Sequence, residues 1–540
     1  MKFLLLLSIC LAVLGLGDAF AQRTKEPVDT AMMSKIKIEE NQNSQVMELV
    51  SYLTDVNGPR LTGTPGCRRA EEWAASKMSS WKNVVDAHLE GWGPWGKAWE
   101  LKRYYANVIT EKQTWPLLSY PKAWSPGTDG RITADIILVD VKTDSALETF
   151  RGRLKGKFVM TSASREIAPH EKPELVREAD STLLKMANAD VDAPDHPFKP
   201  SPAMKTQAAF AYKKAKFFES EGAIGLLSIG YNDGGVMQFV QSAAVPNPPD
   251  TPWTRSIKPW SANAPKILPQ IVIGAEHYNR LVRMMQKGEH PRIEMDFKEE
   301  MPDADSSFNC IAEIPGTDLK DEIVMLGGHI DSWHGSTGGT DNATGVAACL
   351  EALRILSALD VKPRRTIRVG LWSGEEQGEF GSEAYVKRHF GTKDVDTSGK
   401  ATYHLLPGAE KFSAYYNLDN GTGKIRGMYM EGNEALRPIF HEWLVPFTDM
   451  GASTLTLRGT GSTDHESFNN LGLPGFQFIQ DGYEYWSRSW HSTIDSYDRV
   501  SEKDLRQQAI IMAAFVYNTA MRDAKLPRKA ESEKATGAGH

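Results

Sequence analysis

The amino-acid sequence predicts an α/β protein with a mixed, mostly parallel sheet flanked by helices, into which a mainly-β domain is inserted. Three observations predict this fold class. From residue 308 onward, short apolar runs alternate with stretches of helical periodicity. Residues 115–292 instead combine strand-like runs with two proline-rich loops. The 540 residues, 41% hydrophobic and 24% charged, are enough for two or three packed domains.

The elements of the C-terminal half follow from its alternating pattern. Helices are predicted to begin near Asn342, at Gly381, near Glu434 and after Ser501. Alternation of strands and helices is typical of a sheet with helices on both faces. The predicted strands of this half are "DEIVMLGG", "RTIRVGLW", "SAYYNLD", "IRGMYME" and "LPGFQFI".

The inserted region has a different pattern, which sets the predicted domain boundaries. Its strand-like runs are "ADIILVDV", "GKFVMTSA" and "AIGLLSIG", and its helical run covers Thr206–Ser220. The region has no spacing of residues typical of metal ligands. The predicted segments are a signal peptide at 1–21, the first part of the α/β domain at 22–114, the insert at 115–292, the rest of the α/β domain at 293–525 and a disordered tail at 526–540.

The N-terminal 22 residues have the pattern of an export signal. Lys2 precedes an apolar run, and Ala19-Phe20-Ala21 is the small-x-small pattern that signal peptidase cuts. A retained membrane anchor is the alternative, but the apolar run is short for a membrane span. We therefore expect a secreted or periplasmic protein that begins at Gln22 and has no membrane anchor. Its three remaining cysteines are too few for a fold held together by disulfides.

Charge and motif content exclude two classes of function. The 62 basic and 69 acidic residues give a net charge of −7, and no basic run is present that could follow a phosphate backbone. Nucleic acid is therefore not an expected partner. The chain also lacks the G-x-S-x-G motif, which argues against a serine hydrolase of the α/β type.

Polar residues that can bind metal follow the predicted strands. In open α/β sheets, ligands bind beyond the carboxyl ends of the strands, so these residues are expected to meet there. Their oxygen and nitrogen donors, with no thiolate among them, suit zinc in a hydrolytic site better than a structural zinc site. The residues are His329, Asp331, Asp341, Glu375, Glu376, Asp419, Asp464, His465 and His491.

Taken singly, these residues have ordinary structural interpretations. Asp341 alone reads as a helix N-cap, Glu375 and Glu376 as a solvated pair, and His491 as a loop histidine. Their common position after several strands favours a single site.

The order of these motifs resembles a known enzyme family. The chain resembles the dizinc exopeptidases that include bacterial leucyl aminopeptidase and plasma glutamate carboxypeptidase. The motifs that carry the resemblance are, in order, "HxDS" at His329, an aspartate before a glycine-containing helix, "EE" followed by "GS", "LD" and a late "HS…D". The resemblance covers about residues 300–525, and "GPRLTGTPG" adds a weaker likeness. "DNGTGKIRGMYMEG" and "SWHSTID" favour the plasma glutamate carboxypeptidase branch, also described as carboxypeptidase Q-like. "LKGKFVM" and "KFFESEGAIGLLSI" resemble a protease-associated domain.

The resemblance implies two zinc ions per chain and a role for each residue. Asp341 would bridge the ions, with Glu376 and His491 on one and His329 and Asp419 on the other. Glu375 would be the general base toward a metal-bridging water, and Asp331 would hold the second nitrogen of His329.

The same resemblance implies the function and leaves further points to test. Short peptides or dipeptides would be the substrates of an exopeptidase, attacked from either end. The quaternary state is open, and a homodimer is one of the states to test. Asp464 and His465 are expected to contact substrate or shape its pocket. Asn342 replaces a second acid common in the family, which should lessen the negative charge near the bridge. The insert is expected to restrict access to the site.

Two related functions remain open. Some relatives have lost metal ligands and serve as receptor-like ectodomains, which predicts broken ligand positions. A glutaminyl cyclase-like acyltransferase would use a single zinc ion. Zinc content and a peptide hydrolysis assay separate these alternatives from a dizinc exopeptidase.

Overall fold

A computed structural model describes residues 25–169, 171–191, 200–231, 238–396 and 399–529. The predicted signal peptide and most of the predicted tail lie outside the described residues. Within these ranges, no helix is both long enough and apolar enough to cross a membrane.

The first of two large sheets contains eight strands and carries the elements predicted for the C-terminal half. Its four central strands are mutually parallel, and the strand next to them on each side, Ser307–Ile314 or Ile425–Tyr429, runs antiparallel to its central neighbour. The predicted α/β fold with a mixed, mostly parallel sheet is therefore confirmed. In order across the first sheet, the strands are Val85–Trp92, Ser307–Ile314, Arg365–Trp372, Leu319–His329, Phe412–Asn417, Gly475–Gln480, Ile425–Tyr429 and Thr454–Thr456.

The second large sheet also has eight strands. It includes two long strands outside residues 115–292, Glu100–Ile109 and Arg292–Glu300, which pair with each other. The domain boundaries at 115 and 292 stay a prediction. In order, the strands of the second sheet are Thr114–Pro116, Glu100–Ile109, Arg292–Glu300, Arg131–Leu138, Phe158–Met160, Gly225–Ile229, Gln270–Ile273 and Ser119–Pro121. Two small sheets pair Gly96–Lys97 with Asp303–Ala304 and Gly391–Val395 with Ala401–Leu405.

Helices cover the faces of the sheets. The α-helices are Thr30–Asn43, Val46–Ser51, Pro65–Ser79, Asp144–Glu148, Asp180–Ala187, Pro202–Ser220, Ala275–Gln286, Thr344–Ala358, Phe380–His389, Pro407–Lys411, Arg437–Leu444, His465–Asn470 and Glu502–Met521. Short helical turns lie at Tyr52–Val56, Trp253–Arg255, Glu434–Leu436, Val445–Met450, Tyr485–Ser489 and Tyr497–Arg499.

Each large sheet has its own core. The helix Thr344–Ala358 is buried along nearly its whole length because it packs against the first sheet and against the helices Val46–Ser51 and Glu502–Met521. A helix buried on all sides is mostly apolar, as the sequence "ATGVAACLEALRIL" is, and its two buried charged residues, Glu351 and Arg354, pair with each other at 2.8 Å. The core beneath the second sheet instead includes a group of tryptophans, among them Trp95, Trp124 and Trp260, whose rings are 5.0 to 6.2 Å apart.

Candidate metal centre

Most residues of the candidate site lie at or just after the carboxyl ends of three adjacent parallel strands of the first sheet. His329 ends the central strand Leu319–His329. Asp419 follows the neighbouring strand Phe412–Asn417, and Glu375 and Glu376 follow Arg365–Trp372 on the other side. Because parallel strands place their carboxyl ends at one edge, the four side chains meet there.

The glycine-rich loop after His329 returns the chain to the same edge. Gly338 has a φ of +63°, and a Cβ at this position would lie 2.4 Å from the Cβ of Ser332. Only glycine fits this left-handed conformation so close to another segment. Asp341 follows, just before the helix Thr344–Ala358, and its peptide bond to Asn342 is cis. The loop thereby brings Asp341 to the edge of the sheet where His329 lies.

The predicted ligands form two groups that share Asp341. His329, Asp341 and Asp419 form one group, and Asp341, Glu376 and His491 form the other, with ligand atoms within 4.8 Å of one another in each. The Nε2 atom of His329 lies 3.3 Å from Oδ1 of Asp341 and 3.2 Å from Oδ1 of Asp419. The Nε2 atom of His491 lies 3.4 Å from Oδ2 of Asp341 and 3.0 Å from Oε2 of Glu376. Asp341 therefore offers one oxygen to each group.

The residues present fit two zinc ions. Three carboxylates and two imidazoles supply oxygen and nitrogen donors, and the carboxylate of Asp341 would be the shared anion that two neighbouring cations require. Oδ2 of Asp341 and Oε1 of Glu376 are buried and have no hydrogen-bond donor from the described residues. Buried carboxylate oxygens are costly without a partner, and a cation would satisfy both.

Burial and charge set the protonation of the site. Burial opposes protonation of His329, but the negative charges of Asp419 and Glu375 outweigh it and raise its pKa. For Glu375, burial and the charge of Asp419 raise the pKa well above the ordinary value, although His329 counteracts them. Burial, together with the charge of Asp341, raises the pKa of Glu376 to about 7. The raised pKa values of the two glutamates reflect buried carboxylates that lie close to other carboxylates, and a bound cation would offset their charge.

The structure gives Asp331 a different contact from the predicted one. Its carboxylate lies 3.6 Å from Nδ1 of His329, which is longer than a hydrogen bond, and its backbone carbonyl lies 3.1 Å from that nitrogen. The carboxylate instead accepts from Thr62 at 2.8 Å and from the amides of Glu375 and Glu376 at 3.3 Å each. Asp331 therefore fixes the backbone of the two glutamates, and its carbonyl, not its carboxylate, faces His329.

Two residues outside the predicted set hold the loop that carries Asp341. The carboxylate of Asp495 accepts from the amides of Thr340 at 2.6 Å and Asp341 at 3.0 Å. The buried guanidinium of Arg60 donates to three carbonyls of the loop, those of Ile330 at 2.6 Å, Thr337 at 2.7 Å and Gly338 at 3.0 Å. In the sequence, the acid at the end of "SWHSTID" and the arginine in "GPRLTGTPG" could have pointed to these two residues.

Asn342 makes two hydrogen bonds that connect neighbouring parts of the site. Its Nδ2 donates to the carbonyl of Leu418 at 2.9 Å, and its Oδ1 accepts from the amide of Gly345 at 3.0 Å. The side chain therefore joins the backbone just before Asp419 to the first turn of the helix Thr344–Ala358. A carboxylate at this position could accept from Gly345 but could not donate to Leu418.

Three other polar residues near the site are held in the interior. Asp464 and His465 are fully buried, and their predicted contact with substrate stays a prediction. His465 lies 3.0 Å from the carbonyl of Thr460 and thereby shapes the loop before it. His334 is also buried, with Nε2 2.7 Å from the carbonyl of Pro121, and burial lowers its pKa to about 4.

The matching family model is that of peptidase family M28, and it covers residues 309–516. The match covers less than half of the chain. All five predicted metal ligands lie in the matched segment. The predicted resemblance to this peptidase family is therefore confirmed.

Individual relatives resemble between 38% and 59% of the chain. Carboxypeptidase Q of Mus musculus is 29% identical over 318 residues, which are 59% of this chain and 62% of that protein. Aminopeptidase YwaD of Bacillus subtilis is 28% identical over 212 residues, 38% of this chain and 42% of that protein. The aligned region thus spans less than two thirds of each relative.

Two solved structures share the fold over most of the chain. The M28 peptidase precursor of Shewanella amazonensis has a TM-score of 0.63 at 21% identity, covering 93% of this chain and 99% of that one. The zinc aminopeptidase of Bacillus subtilis has a TM-score of 0.53 at 20% identity, covering 89% and 96%. At these identities the comparisons show the fold alone.

Proposed function

We propose that the chain is an exported, zinc-dependent exopeptidase that hydrolyses short peptides or dipeptides. The observation that carries the proposal is the pair of ligand groups that share Asp341 at the edge of the first sheet. The match of residues 309–516 to a peptidase family supports hydrolysis of peptide bonds as the reaction. The sequence pattern of residues 1–21 supports export.

The site residues divide into metal ligands and one general base. Asp341, Glu376 and His491 would hold one zinc ion, and His329, Asp341 and Asp419 the other. When bound, the two ions supply Lewis acidity, which polarises the scissile carbonyl and makes water more acidic. Glu375 accepts a proton from the attacking water and returns it to the leaving amine. Asp331 holds the Glu375 amide, so that Glu375 and Glu376 keep separate positions.

The charge of the site favours a substrate with a free end. The carboxylates of Glu375 and Asp419 lie 3.8 and 3.2 Å from Nε2 of His329, so a free α-amine close to the metals would find anionic partners. A free carboxylate would find the zinc ions themselves. Similarity to both a carboxypeptidase and an aminopeptidase is consistent with attack at either end.

One dipeptide series tests the exopeptidase proposal. We expect hydrolysis of dipeptides with two free ends and loss of activity when both ends are blocked, because the site then has no charged group to orient. Blocking one end at a time identifies the end that is recognised. Efficient internal cleavage of a longer, doubly blocked peptide would contradict the proposal.

The ligand set argues against the two related functions. A receptor-like ectodomain predicts lost ligands, whereas all five predicted ligands are present and lie together. A cyclase with one zinc ion does not require a carboxylate that faces two separate ligand groups, as Asp341 does.

A further inference from the structure

The loop that carries His491 is bound by a strand-like segment from the predicted insert. The amide of Val240 donates to the carbonyl of His491 at 2.8 Å, and the amide of Thr493 donates to the carbonyl of Gln238 at 3.1 Å. The amide of Gln238 in turn donates to the hydroxyl of Thr493 at 3.1 Å. Three hydrogen bonds thus pair the segment Gln238–Val240 with His491 and Thr493.

A second segment of the predicted insert binds the start of the same loop. Val176 and Tyr483 exchange two backbone hydrogen bonds of 2.7 Å each. The carboxylate of Glu174 accepts from Arg488 at 2.6 Å, and its carbonyl accepts from Ser487 at 2.7 Å. The loop Tyr483–Thr493 is therefore held from two sides by residues that are distant in the sequence.

Aromatic packing adds to these contacts at the ligand itself. The Phe239 ring lies 5.6 Å from the His491 ring and 5.7 Å from the Trp490 ring, measured between centroids. The Trp490 ring stacks on the His491 ring at 4.0 Å. The three rings therefore form one cluster, in which the imidazole contacts a ring of its own loop and a ring of the predicted insert.

The backbone of His491 needs such support. His491 has a φ of +48°, a left-handed conformation that residues other than glycine rarely adopt. Such conformations persist where surrounding contacts determine them. The contacts from Gln238–Val240 act on this residue directly, through its carbonyl and its ring.

We propose that the segment Gln238–Val240 positions His491 and thereby sets the affinity of one of the two zinc ions, the one shared by Asp341, Glu376 and His491. This inference rests on the proposed function, because it takes zinc as the metal. Residues that orient a metal ligand commonly change metal affinity by about 10- to 100-fold when they are replaced. Phe239 and Val240 are thus positioning residues in the predicted insert for His491, a ligand outside it.

Two substitutions test the proposal through zinc binding. Phe239→Ala removes the ring against His491, and Val240→Pro removes the amide that donates to its carbonyl. In titrations of chelator-treated protein against a competing zinc indicator, we expect one zinc ion to bind about tenfold or more weakly and the other to keep its affinity. Phe239→Tyr keeps an aromatic ring against His491 and should therefore bind zinc with the affinity of the wild-type protein. Trp253→Ala, which removes an exposed ring of the same region, is the matched control.

Hydrogen exchange of the wild-type protein tests the proposal even if a variant folds poorly. Coupling between two sites is reciprocal, so zinc must protect the Val240 amide from exchange if that amide supports zinc binding. In the wild-type protein we expect slower exchange at Val240 with zinc than without it, and loss of that difference in His491→Ala. Wild-type protein that binds no zinc would refute the proposed function. Wild-type protein that binds two zinc ions, with unchanged affinities in both variants and no protection of Val240, would overturn this inference alone.

Discussion

Replacing Glu375 with glutamine lowers the rate of peptide hydrolysis by about a hundredfold or more, while the zinc content remains that of the wild-type protein. The amide keeps the shape of the side chain but cannot accept a proton from water. Glu375 belongs to neither ligand group, so both groups stay complete. Measuring kcat, KM and zinc content together checks the prediction, and KM should change little because a general base acts in the transition state.

The neighbouring residue provides the matched control. Glu376→Gln makes the same chemical change one position along the chain, but it removes an anionic ligand from the group of Asp341 and His491. We expect this variant to lose affinity for one zinc ion. If Glu375→Gln loses zinc and Glu376→Gln keeps it, the two roles are reversed.

Replacing Asp341 with asparagine has the largest expected effect on metal content. Asp341 alone faces both ligand groups, and its two oxygens lie 3.3 Å from His329 and 3.4 Å from His491. Loss of this shared charge leaves two cations without the anion that limits their repulsion. Both zinc ions should therefore bind more weakly, and activity should disappear at zinc concentrations that saturate the wild-type protein.

The control for this variant is a carboxylate on the same chain segment but far from the site. Asp321 lies in the strand Leu319–His329, and its side chain is 72% exposed, so Asp321→Asn should leave zinc content and activity unchanged. Elemental analysis after dialysis, together with circular dichroism to confirm folding, separates metal loss from unfolding. Retention of both zinc ions in Asp341→Asn would contradict the bridging role.

The sequence predicted the first sheet and the ligand cluster because both depend on local patterns. His329, Glu375, Glu376 and Asp419 each follow an apolar strand, and parallel strands bring such positions together. The bridging position of Asp341 and the inclusion of His491 came from the order of motifs in a known family. The structure adds the distances that place these five side chains in two groups.

Contacts between distant segments could not be predicted in this way. Nothing in "SWHSTID" indicates that its backbone pairs with Gln238–Val240, which lies about 250 residues earlier. The burial of Asp464 and His465 likewise depends on how the surrounding loops pack. For Asp331, a sequence motif identifies the residue but not which of its oxygens faces His329. Tertiary packing decides each of these features.

The most direct test of the account is a stepwise zinc titration of chelator-treated wild-type protein, with bound zinc and dipeptide hydrolysis measured at each step. Two ligand groups that share one carboxylate predict about two zinc ions per chain, with full activity only after the second has bound. Full activity at one zinc ion per chain would contradict the bridging role of Asp341 and would favour a single-zinc enzyme.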